Sequence, residues 1–241
     1  MRVVALLQAR MNSSRLPGKV VRDFNGMPMI VHIWRRLLAC REVDEVYIAM
    51  GHGGNYHALE PLARMYAMHY GTGPDADLIT RLYECGRVLH ANAIVRITAD
   101  CLWHDPKLID SGIERFRSEY PRSRGMSVWP YRTVSEGLDF EIWSMELLAE
   151  LDRTKDCPRE GFAAWVCDDD DRALKYRMTL GMQGKKNDGE PHLSIDTPED
   201  AKRAEAMLEI LGNDEFRYDM TLSAYRQVAE GRDDEDRREF V

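Results

Sequence analysis

The sequence predicts a three-layer α/β domain, in which a mostly parallel β-sheet is covered by helices on both faces. Two observations lead to this class. Short apolar runs rich in β-branched residues, at residues 3–7, 45–50 and 93–98, are typical of buried strands. These runs alternate with longer stretches whose apolar residues recur with helical spacing, and that order is typical of parallel sheets.

The remaining elements follow the same alternation. Helices are predicted at residues 28–40, 59–65, 78–89, 105–118, 144–151, 198–211 and 222–230, and further strands at 68–70, 126–129, 138–143, 176–180 and 193–196. No repeat or low-complexity linker interrupts the 241 residues, so we assign residues 1–230 to a single domain. The tail at residues 231–241 is charge-rich and nearly free of apolar residues, and we expect it to be disordered.

Composition narrows the functional class. The formal net charge of −8 argues against general nucleic-acid binding, because that binding requires a broad basic face. The five cysteines show no CxxC spacing, so neither a zinc site nor a disulfide framework is indicated. The apolar start is too short for the core of a signal peptide, and no later run is long enough to span a membrane. We expect a cytoplasmic protein.

The most informative stretch, residues 8–19, follows the first strand and reads QARMNSSRLPGK. It leaves the carboxyl edge of the sheet, where open α/β sheets bind ligands. Between residues 10 and 22 there are four cations and no acidic residue. The groups that can hold a polyanion here are Arg10, Arg15, Lys19, the hydroxyls of Ser13 and Ser14, and the backbone around Gly18. The loop therefore predicts a nucleoside triphosphate site.

Two other interpretations of this loop are less favoured than a nucleoside triphosphate site. It is not a Walker loop, since no GxxxxG precedes Lys19 and Val20 follows where that motif requires Ser or Thr. A basic surface loop without any ligand is the structural alternative, although such a composition after an amino-terminal strand has few structural uses.

Two aspartates are predicted to face this loop. The strand at residues 93–98 delivers Asp100 to the same edge of the sheet, where a carboxylate beside a triphosphate requires a cation between them. Asp196 also leaves a strand end, whereas Thr197, Glu199 and Asp200 have capping positions at the start of the next helix. Asp100 and Asp196 are therefore predicted to bind Mg²⁺, completed by phosphate oxygens and water.

Two other groups of polar residues favour structural interpretations. His52 and His57 lie five positions apart in a glycine-rich region and are interpreted as loop or helix-entry histidines, with a metal site as the alternative. The acidic run at residues 168–171 could be mistaken for the Asp-x-Asp of a glycosyltransferase. It adjoins no strand, so a solvated run is favoured.

The long motif (L/I)QARxxSxRLPGK resembles the signature loop of the CTP-dependent cytidylyltransferases that activate sugars. That branch includes spore-coat polysaccharide synthesis proteins, CMP-acylneuraminate synthetases and CMP-3-deoxy-octulosonate synthetases. The resemblance covers about residues 2–205 and is densest at the predicted triphosphate site. It implies a Rossmann-like fold of the nucleotide-diphospho-sugar transferase type, CTP and Mg²⁺ as ligands, and a homodimer with a flap or dimer arm within residues 125–160.

The resemblance also implies nucleotide contacts beyond the basic loop. The segment from Asp77 through Leu78 to Arg81 is similar to the family's D-x-L-x-R, although Asp77 is also a good helix cap whatever else it does. The implied nucleotide-binding residues are Gln8, Ala9, Arg10, Ser14, Arg15, Lys19, Asp77 and Arg81. Among them Arg10, Arg15 and Lys19 are the implied catalytic residues, which hold the triphosphate and stabilise departing pyrophosphate.

Two segments are similar to the family's acceptor side. Asp139 and Glu141 share one face of a predicted strand and match P-x-G-x-D-x-E, while Arg159 and Glu160 match an Arg-Glu-His block. The resemblance implies contacts to the acceptor sugar, with an exposed strand face as the alternative for the first pair. The sequence departs from the family at two places: Leu102 and Trp103 replace the usual proline and apolar residue, and Gly161 replaces a histidine.

These features predict transfer of CMP from CTP to a sugar or sugar-acid hydroxyl, with release of pyrophosphate. The activated CMP-sugar would serve surface polysaccharide or glycan synthesis. No histidine is needed as a base, and none is obviously placed for that role. The alternatives are a glycosyltransferase of the same fold and a non-catalytic nucleotide-binding protein. Neither a nucleic acid nor a membrane is an expected partner.

Overall fold

The computed structural model describes residues 1–11, 13, 15–128, 134–181, 191–212 and 216–238. Strands in these ranges are β1 (Val3–Ala9), β2 (Asp23–Phe24), β3 (Met27–Pro28), β4 (Glu45–Gly51), β5 (Tyr70–Gly73), β6 (Ala93–Thr98), β7 (Gly125–Ser127), β8 (Glu141–Ser144) and β9 (Met178–Leu180). In this part of the chain, seven strands form one sheet in the order β5-β4-β1-β6-β8-β7-β9. Only β8 runs antiparallel to its neighbours, β6 and β7, among these strands. The mostly parallel sheet predicted from the sequence is therefore confirmed.

Helices cover both faces of this sheet. They are α1 (Met29–Leu38), α2 (Gly54–Met65), α3 (Leu78–Val88), α4 (Pro106–Glu119), α5 (Met145–Arg153), α6 (Phe162–Cys167), α7 (Asp170–Lys175), α8 (Pro198–Leu211) and α9 (Tyr218–Arg238). Along β1, Val3 and Leu7 belong to the core beneath α1, α4 and α8, whereas Val4 and Leu6 belong to the core beneath α3, α5 and α6. Burial on both faces explains why this strand reads as a continuous apolar run.

Several helix boundaries depend on side-chain caps, and the sequence indicated those at Asp77 and Thr197. The Asp77 carboxylate accepts from the Thr80 amide at 3.0 Å, and Ser144 Oγ accepts from the Leu147 amide at 3.2 Å. α8 starts with a capping box formed by Thr197 and Asp200. Within the described ranges, no helix is both long enough and apolar enough to cross a membrane.

The strand predicted at residues 193–196 is wrong. This segment pairs with no described strand of the sheet. Single hydrogen bonds hold it instead: the Leu193 amide donates to Glu136 O at 2.8 Å, and the Ile195 amide donates to Asp100 O at 3.0 Å. The strand predicted at residues 138–143 begins only at Glu141, so Asp139 lies before it.

The carboxyl-terminal half contains the other differences. The acidic run at residues 168–171 leads into α7, with Asp169 as the cap that accepts from the Arg172 amide at 2.8 Å. Residues 125–160, predicted to include a flap or dimer arm, supply β7, β8 and α5 in the described part of this range. α9 begins earlier than predicted and its backbone continues to Arg238, where disorder was expected from residue 231.

Candidate active site

The loop after β1 buries one of its three predicted cations. Gly18 has φ 72°, in the left-handed region that glycine adopts without steric cost, and its amide donates to Met11 O at 3.1 Å. A short 3₁₀ helix, Lys19–Val21, begins directly after this turn. The consequence is that Lys19 is only 7% exposed, although it belongs to a charged surface loop.

The ammonium group of Lys19 lies between the two predicted metal-binding aspartates. Lys19 Nζ is 3.0 Å from Asp196 Oδ1 and 3.9 Å from Asp100 Oδ2, and it donates to Ile195 O at 2.7 Å. Both carboxylates are therefore within 4 Å of one nitrogen. The β6 end, the extended segment before α8 and the basic loop meet at this point, as the sequence predicted.

Each aspartate also has partners that hold it in place. Asp196 Oδ2 accepts from Ser194 Oγ at 3.0 Å and pairs with Arg15 Nη2 at 3.0 Å. Burial alone would raise the pKa of Asp100, but a hydrogen bond from Thr98 and the charge of Lys19 outweigh burial and leave this pKa below its ordinary value. Asp100 is therefore a carboxylate at neutral pH.

The donor set at this point fits Mg²⁺. Asp100 and Asp196 offer hard carboxylate oxygens, the ligand type that Mg²⁺ prefers. Within the described ranges, no three His, Cys, Asp or Glu side chains are grouped so as to hold a metal by themselves. The remaining ligands would therefore come from phosphate oxygens and water, which is the usual arrangement for Mg²⁺ at nucleotide sites.

A cavity of about 450 Å³, the basic cavity, opens over the loop. Its lining includes Gln8, Arg10, Ser13, Arg15, Lys19, Arg96, Thr98, Asp100 and Asp196. The side chains of Arg10 and Arg15 are 56% and 65% exposed and can therefore turn toward an anion in this cavity. Ala9 is fully buried in the core, which leaves only its backbone for a nucleotide contact. Ser14 lies outside the described residues.

A second cavity of about 380 Å³, the acidic cavity, adjoins the first. The two cavities share Arg96, Thr98, Asp100 and Asp196. Carboxylates that line the acidic cavity are Asp100, Glu136, Asp139, Glu141, Glu160 and Asp196. Three of the four residues predicted to contact the acceptor, Asp139, Glu141 and Glu160, are thus brought to one cavity beside the basic loop.

Arg96 connects the two cavities. Its Nη1 donates to both oxygens of Glu141, at 2.9 and 2.7 Å, and its Nε donates to Gln8 Oε1 at 2.9 Å. Arg96 and Glu141 are 15% and 12% exposed, so this ion pair is largely buried. β1 and β6 are neighbours in the sheet, and this pairing brings Gln8 and Arg96 together.

Three predicted site residues have structural partners instead. Arg159, which lines neither cavity, pairs with Asp77 Oδ2 at 3.2 Å and donates to Asp152 O at 2.8 Å. Arg81 is 3% exposed and donates to Pro74 O at 2.8 Å, so it secures the turn before α3. Asp77 and Arg81 are also absent from both linings, and their contact with a nucleotide stays a prediction.

A polar chain beside Asp196 was not predicted from the sequence. His192 Nε2 is 2.7 Å from Ser194 Oγ, and His192 Nδ1 is 3.3 Å from Glu136 Oε2. The available signal was the spacing of Ser194 and Asp196, because residues two apart in an extended segment share a side. A histidine therefore does lie near the site.

The two departures from the family pattern have different consequences. Leu102 and Trp103 are buried in the core rather than lining either cavity, and Trp103 Nε1 donates to Leu193 O at 2.9 Å. That bond anchors the segment that leads to Asp196. Gly161 does line the acidic cavity, and a Cβ added there would meet no atom within 4 Å. A side chain at position 161 would therefore meet no steric obstacle, so packing does not require glycine there.

The fold and the paired cavities define an α/β protein with a cation-lined cavity at the carboxyl edge of its sheet. A family model described as "Cytidylyltransferase" matches residues 4–239, so the chain belongs to the cytidylyltransferase family. Membership confirms the family resemblance predicted from the basic loop, and it favours nucleotidyl transfer over the glycosyltransferase alternative.

Curated relatives and solved structures agree with this family. The chain is 33% identical over 131 residues to a 3-deoxy-manno-octulosonate cytidylyltransferase of Chlorobium limicola, covering 54% of this chain and 52% of the relative. The corresponding protein of Pelodictyon phaeoclathratiforme is 32% identical over 133 residues, covering 55% and 53%. The matched region thus spans about half the length of these curated relatives.

Two solved structures support the fold. A cytidylyltransferase from Leptospira borgpetersenii serovar Hardjo-bovis superposes with a TM-score of 0.87 at 26% identity, covering 95% of this chain and 96% of that one. A CMP:2-keto-3-deoxy-manno-octonic acid synthetase complexed with CTP gives a TM-score of 0.65 at 17% identity, covering 88% and 100%, and that likeness concerns the fold alone. The predicted fold class is therefore confirmed.

Proposed function

We propose that this protein transfers CMP from CTP to a hydroxyl of a sugar or sugar-acid acceptor and releases pyrophosphate. The observation that carries the proposal is the position of Lys19 between Asp100 and Asp196, at the junction of the basic and acidic cavities. Membership in the cytidylyltransferase family supports CTP as the nucleotide. The basic cavity would hold the triphosphate and the acidic cavity the acceptor.

The reaction is an in-line displacement at phosphorus. A bond forms between the acceptor oxygen and the α-phosphorus of CTP, and the bond from that phosphorus to the oxygen bridging to the β-phosphorus breaks. The electron pair leaves with pyrophosphate, and the acceptor hydroxyl releases its proton to solvent. Such a displacement depends mainly on positioning and on charge stabilisation.

The basic loop would supply most of that stabilisation. Lys19 is buried and already constrained by its hydrogen bonds to Ile195 O and Asp196, so little ordering is required when a phosphate oxygen becomes its partner. Arg10 and Arg15 are exposed, and we expect them to turn onto the β- and γ-phosphates. The charge that develops on departing pyrophosphate would then meet three cations.

Asp100 and Asp196 would hold the magnesium ion. When bound, Mg²⁺ neutralises phosphate charge and polarises the phosphoryl group. Ser194 donates to Asp196 Oδ2 at 3.0 Å, which orients that carboxylate toward the junction. Thr98 and Lys19 keep Asp100 ionised and therefore available as a ligand.

Triphosphate binding is the direct test. A thermal-shift screen of CTP, UTP, ATP and GTP with Mg²⁺ should show the largest stabilisation with CTP, about 2.7 kcal/mol when the ligand is present at 100 times its Kd. Pyrophosphate release should then be measured across keto-sugar acids, neutral sugars, amino sugars and sugar phosphates. Sugar loss from a nucleotide-sugar donor without use of CTP would contradict the proposal, and CTP binding without any turnover would favour the non-catalytic alternative.

Three finer predictions accompany this function. The resemblance implies a homodimer, a cytoplasmic location and a role in surface polysaccharide or glycan synthesis. Light scattering on the purified chain measures the oligomeric state directly, and a monomer at assay concentration would contradict the predicted homodimer.

A further inference from the structure

The acidic cavity is bordered by a tight turn at residues 135–138. The Leu138 amide donates to Ser135 O at 3.2 Å and closes this turn. Two of its residues, Glu136 and Gly137, line the cavity. Their positions in the cavity therefore depend on what holds the 135–138 turn in place.

The turn packs closely against the segment that leads to Asp196. Gly137 has φ 100°, and a Cβ added there would lie 2.6 Å from the Ser194 nitrogen and 2.7 Å from the carbonyl carbon of Leu193. Backbone thus meets backbone at this point, which requires glycine. The Leu193 amide also donates to Glu136 O at 2.8 Å. A contact this close is kept only if the turn is held firmly.

Tyr218, the first residue of α9, holds the turn through its hydroxyl group. This hydroxyl accepts from the Ser135 amide at 3.1 Å and lies 3.1 Å from Ser135 Oγ. Ser135 is only 2% exposed, so its amide is largely removed from water and needs a partner within the protein. Loss of the hydroxyl would take away that partner at the point where the turn begins.

The same tyrosine is anchored to the loop between β6 and α4, which carries Asp100. The Tyr218 amide donates to Asp105 Oδ2 at 2.9 Å, while the other oxygen of Asp105 caps α4. Next to Asp105, His104 Nε2 lies 3.0 Å from Asp139 O, so this loop also contacts the chain that follows the turn. Tyr218 therefore connects the loop that carries Asp100 to the start of the 135–138 turn.

We infer that Tyr218 is a positioning residue for the acceptor side of the reaction. It fixes the 135–138 turn relative to the loop between β6 and α4, and thereby fixes one wall of the acidic cavity. The inference rests on the proposed function, which places the acceptor in this cavity. Tyr218 is not among the described residues that line either cavity, so it acts through Ser135 rather than by touching a substrate.

The nucleotide side has anchors that do not involve this tyrosine. Trp103 Nε1 donates to Leu193 O at 2.9 Å, and the Ile195 amide donates to Asp100 O at 3.0 Å. Both bonds hold the segment that carries Asp196 when the contact between Tyr218 and the turn is lost. We therefore expect removal of the hydroxyl to weaken acceptor binding and to leave CTP binding unchanged.

The test is Tyr218→Phe, which removes one oxygen atom. The acceptor is the compound that gives the wild type its highest rate of pyrophosphate release among keto-sugar acids, neutral sugars, amino sugars and sugar phosphates. We expect its KM to rise about tenfold, as for the loss of one hydrogen bond. The Kd of CTP with Mg²⁺, measured by titration calorimetry, should stay at the wild-type value. Hydrogen exchange at the Ser135 amide, followed by NMR, should become faster.

Two further variants separate a specific effect from a general one. Tyr225→Phe removes the same atom further along α9, where the Arg203 guanidinium lies 5.4 Å from the centre of the Tyr225 ring, and should leave the acceptor KM unchanged. Ser135→Ala removes the contact with the Tyr218 hydroxyl but keeps the amide bond. Its effect on KM should be smaller than that of Tyr218→Phe, and it should add nothing in the double variant.

The outcomes for the inference and for the proposed function are distinct. A wild-type acceptor KM in Tyr218→Phe overturns the inference, and so does an equal loss of CTP affinity, which would indicate general destabilisation. Additive effects of Ser135→Ala and Tyr218→Phe also overturn it. In each of these cases the wild type still releases pyrophosphate, so the proposed function stands. If the wild type releases none with any acceptor, the proposed function fails and the inference falls with it.

Discussion

The basic and acidic cavities share four residues but arise from different kinds of sequence. Three of the four cations among the described residues that line the basic cavity, Arg10, Arg15 and Lys19, come from one loop of ten residues after β1, and the fourth, Arg96, comes from β6. The charged residues that line the described part of the acidic cavity come from four distant segments, at residues 96–101, 136–141, 160–164 and 194–196. Most cations of the basic cavity are near neighbours in the sequence, whereas the carboxylates of the acidic cavity meet only when distant segments pack together. The acidic cavity therefore depends more on the packing of the whole domain.

A substitution at the junction of the two cavities should have the largest effect on turnover. Asp100→Asn keeps the shape of the side chain but removes a carboxylate that both cavities share. We expect turnover to fall by roughly a thousandfold or more, because metal-assisted charge stabilisation is lost. The assay is pyrophosphate release with Mg²⁺.

A second measurement makes the junction test specific to the metal. Stabilisation by CTP should lose its dependence on Mg²⁺ in Asp100→Asn, while circular dichroism shows an intact fold. The matched control is Asp171→Asn, an exposed aspartate near the start of α7. Unchanged turnover in Asp100→Asn would contradict the assignment of this residue to the metal.

The basic cavity is tested by Lys19→Met. This change removes the buried cation that lies nearest both aspartates, and we expect a loss of roughly 2 to 4 kcal/mol of transition-state stabilisation, or about 30- to 1000-fold in kcat/KM. Lys202→Met, at an exposed position on α8, is the control. Wild-type kcat/KM in Lys19→Met would show that the loop binds nucleotide without this residue.

The acidic cavity is tested through the stability of its largely buried ion pair. Glu141→Gln leaves Arg96 without its carboxylate partner, and we expect the free energy of unfolding to fall by about 3 kcal/mol. Urea denaturation measures the change. Arg96→Gln and the double variant complete a cycle, in which a coupling energy near zero would mean that the pair contributes shape but no interaction energy.

The smallest effect concerns the cap that positions Asp196. Burial alone would raise the pKa of Asp200, but hydrogen bonds from Thr197 and from the amides of Asp196 and Thr197 outweigh burial and lower it. A carboxyl group with a lowered pKa in the folded state stabilises the fold at pH values above its ordinary pKa, near 4. This stabilisation is lost as the pH falls through the folded-state pKa. Asp200→Ala should therefore cost about 1 kcal/mol at neutral pH.

The pH dependence separates this cap from the other predictions. The Tm of the wild type should fall between neutral and acidic pH, and the fall should be smaller in Asp200→Ala. Equal acid sensitivity of the two proteins would mean that other carboxyl groups account for the whole effect.

Local sequence patterns predicted the elements whose causes are local. β1, β6, α3 and α8 lie close to their predicted positions because apolar periodicity and caps such as Asp77 and Thr197 act over a few residues. The segment at residues 193–196 was mispredicted as a strand because Leu193 and Ile195 are buried in the core, while their backbone groups form single hydrogen bonds rather than a ladder. Arg159 was predicted at the site from its motif, yet its neighbours in space, Asp77 and Asp152, hold it against α3 and α5.

The sequence by itself determined the α/β class, the basic loop and the two aspartates at strand or segment ends, since each depends on interactions between near neighbours in the chain. Only the tertiary structure decided which of these groups meet. Lys19 and Asp196 are 177 positions apart and come into contact because the sheet order places β1 beside β6 and the Ile195 amide bonds to Asp100. The acidic cavity could not be predicted from the sequence for the same reason. Its carboxylates come from four distant segments, and a local sequence pattern does not indicate how such segments pack.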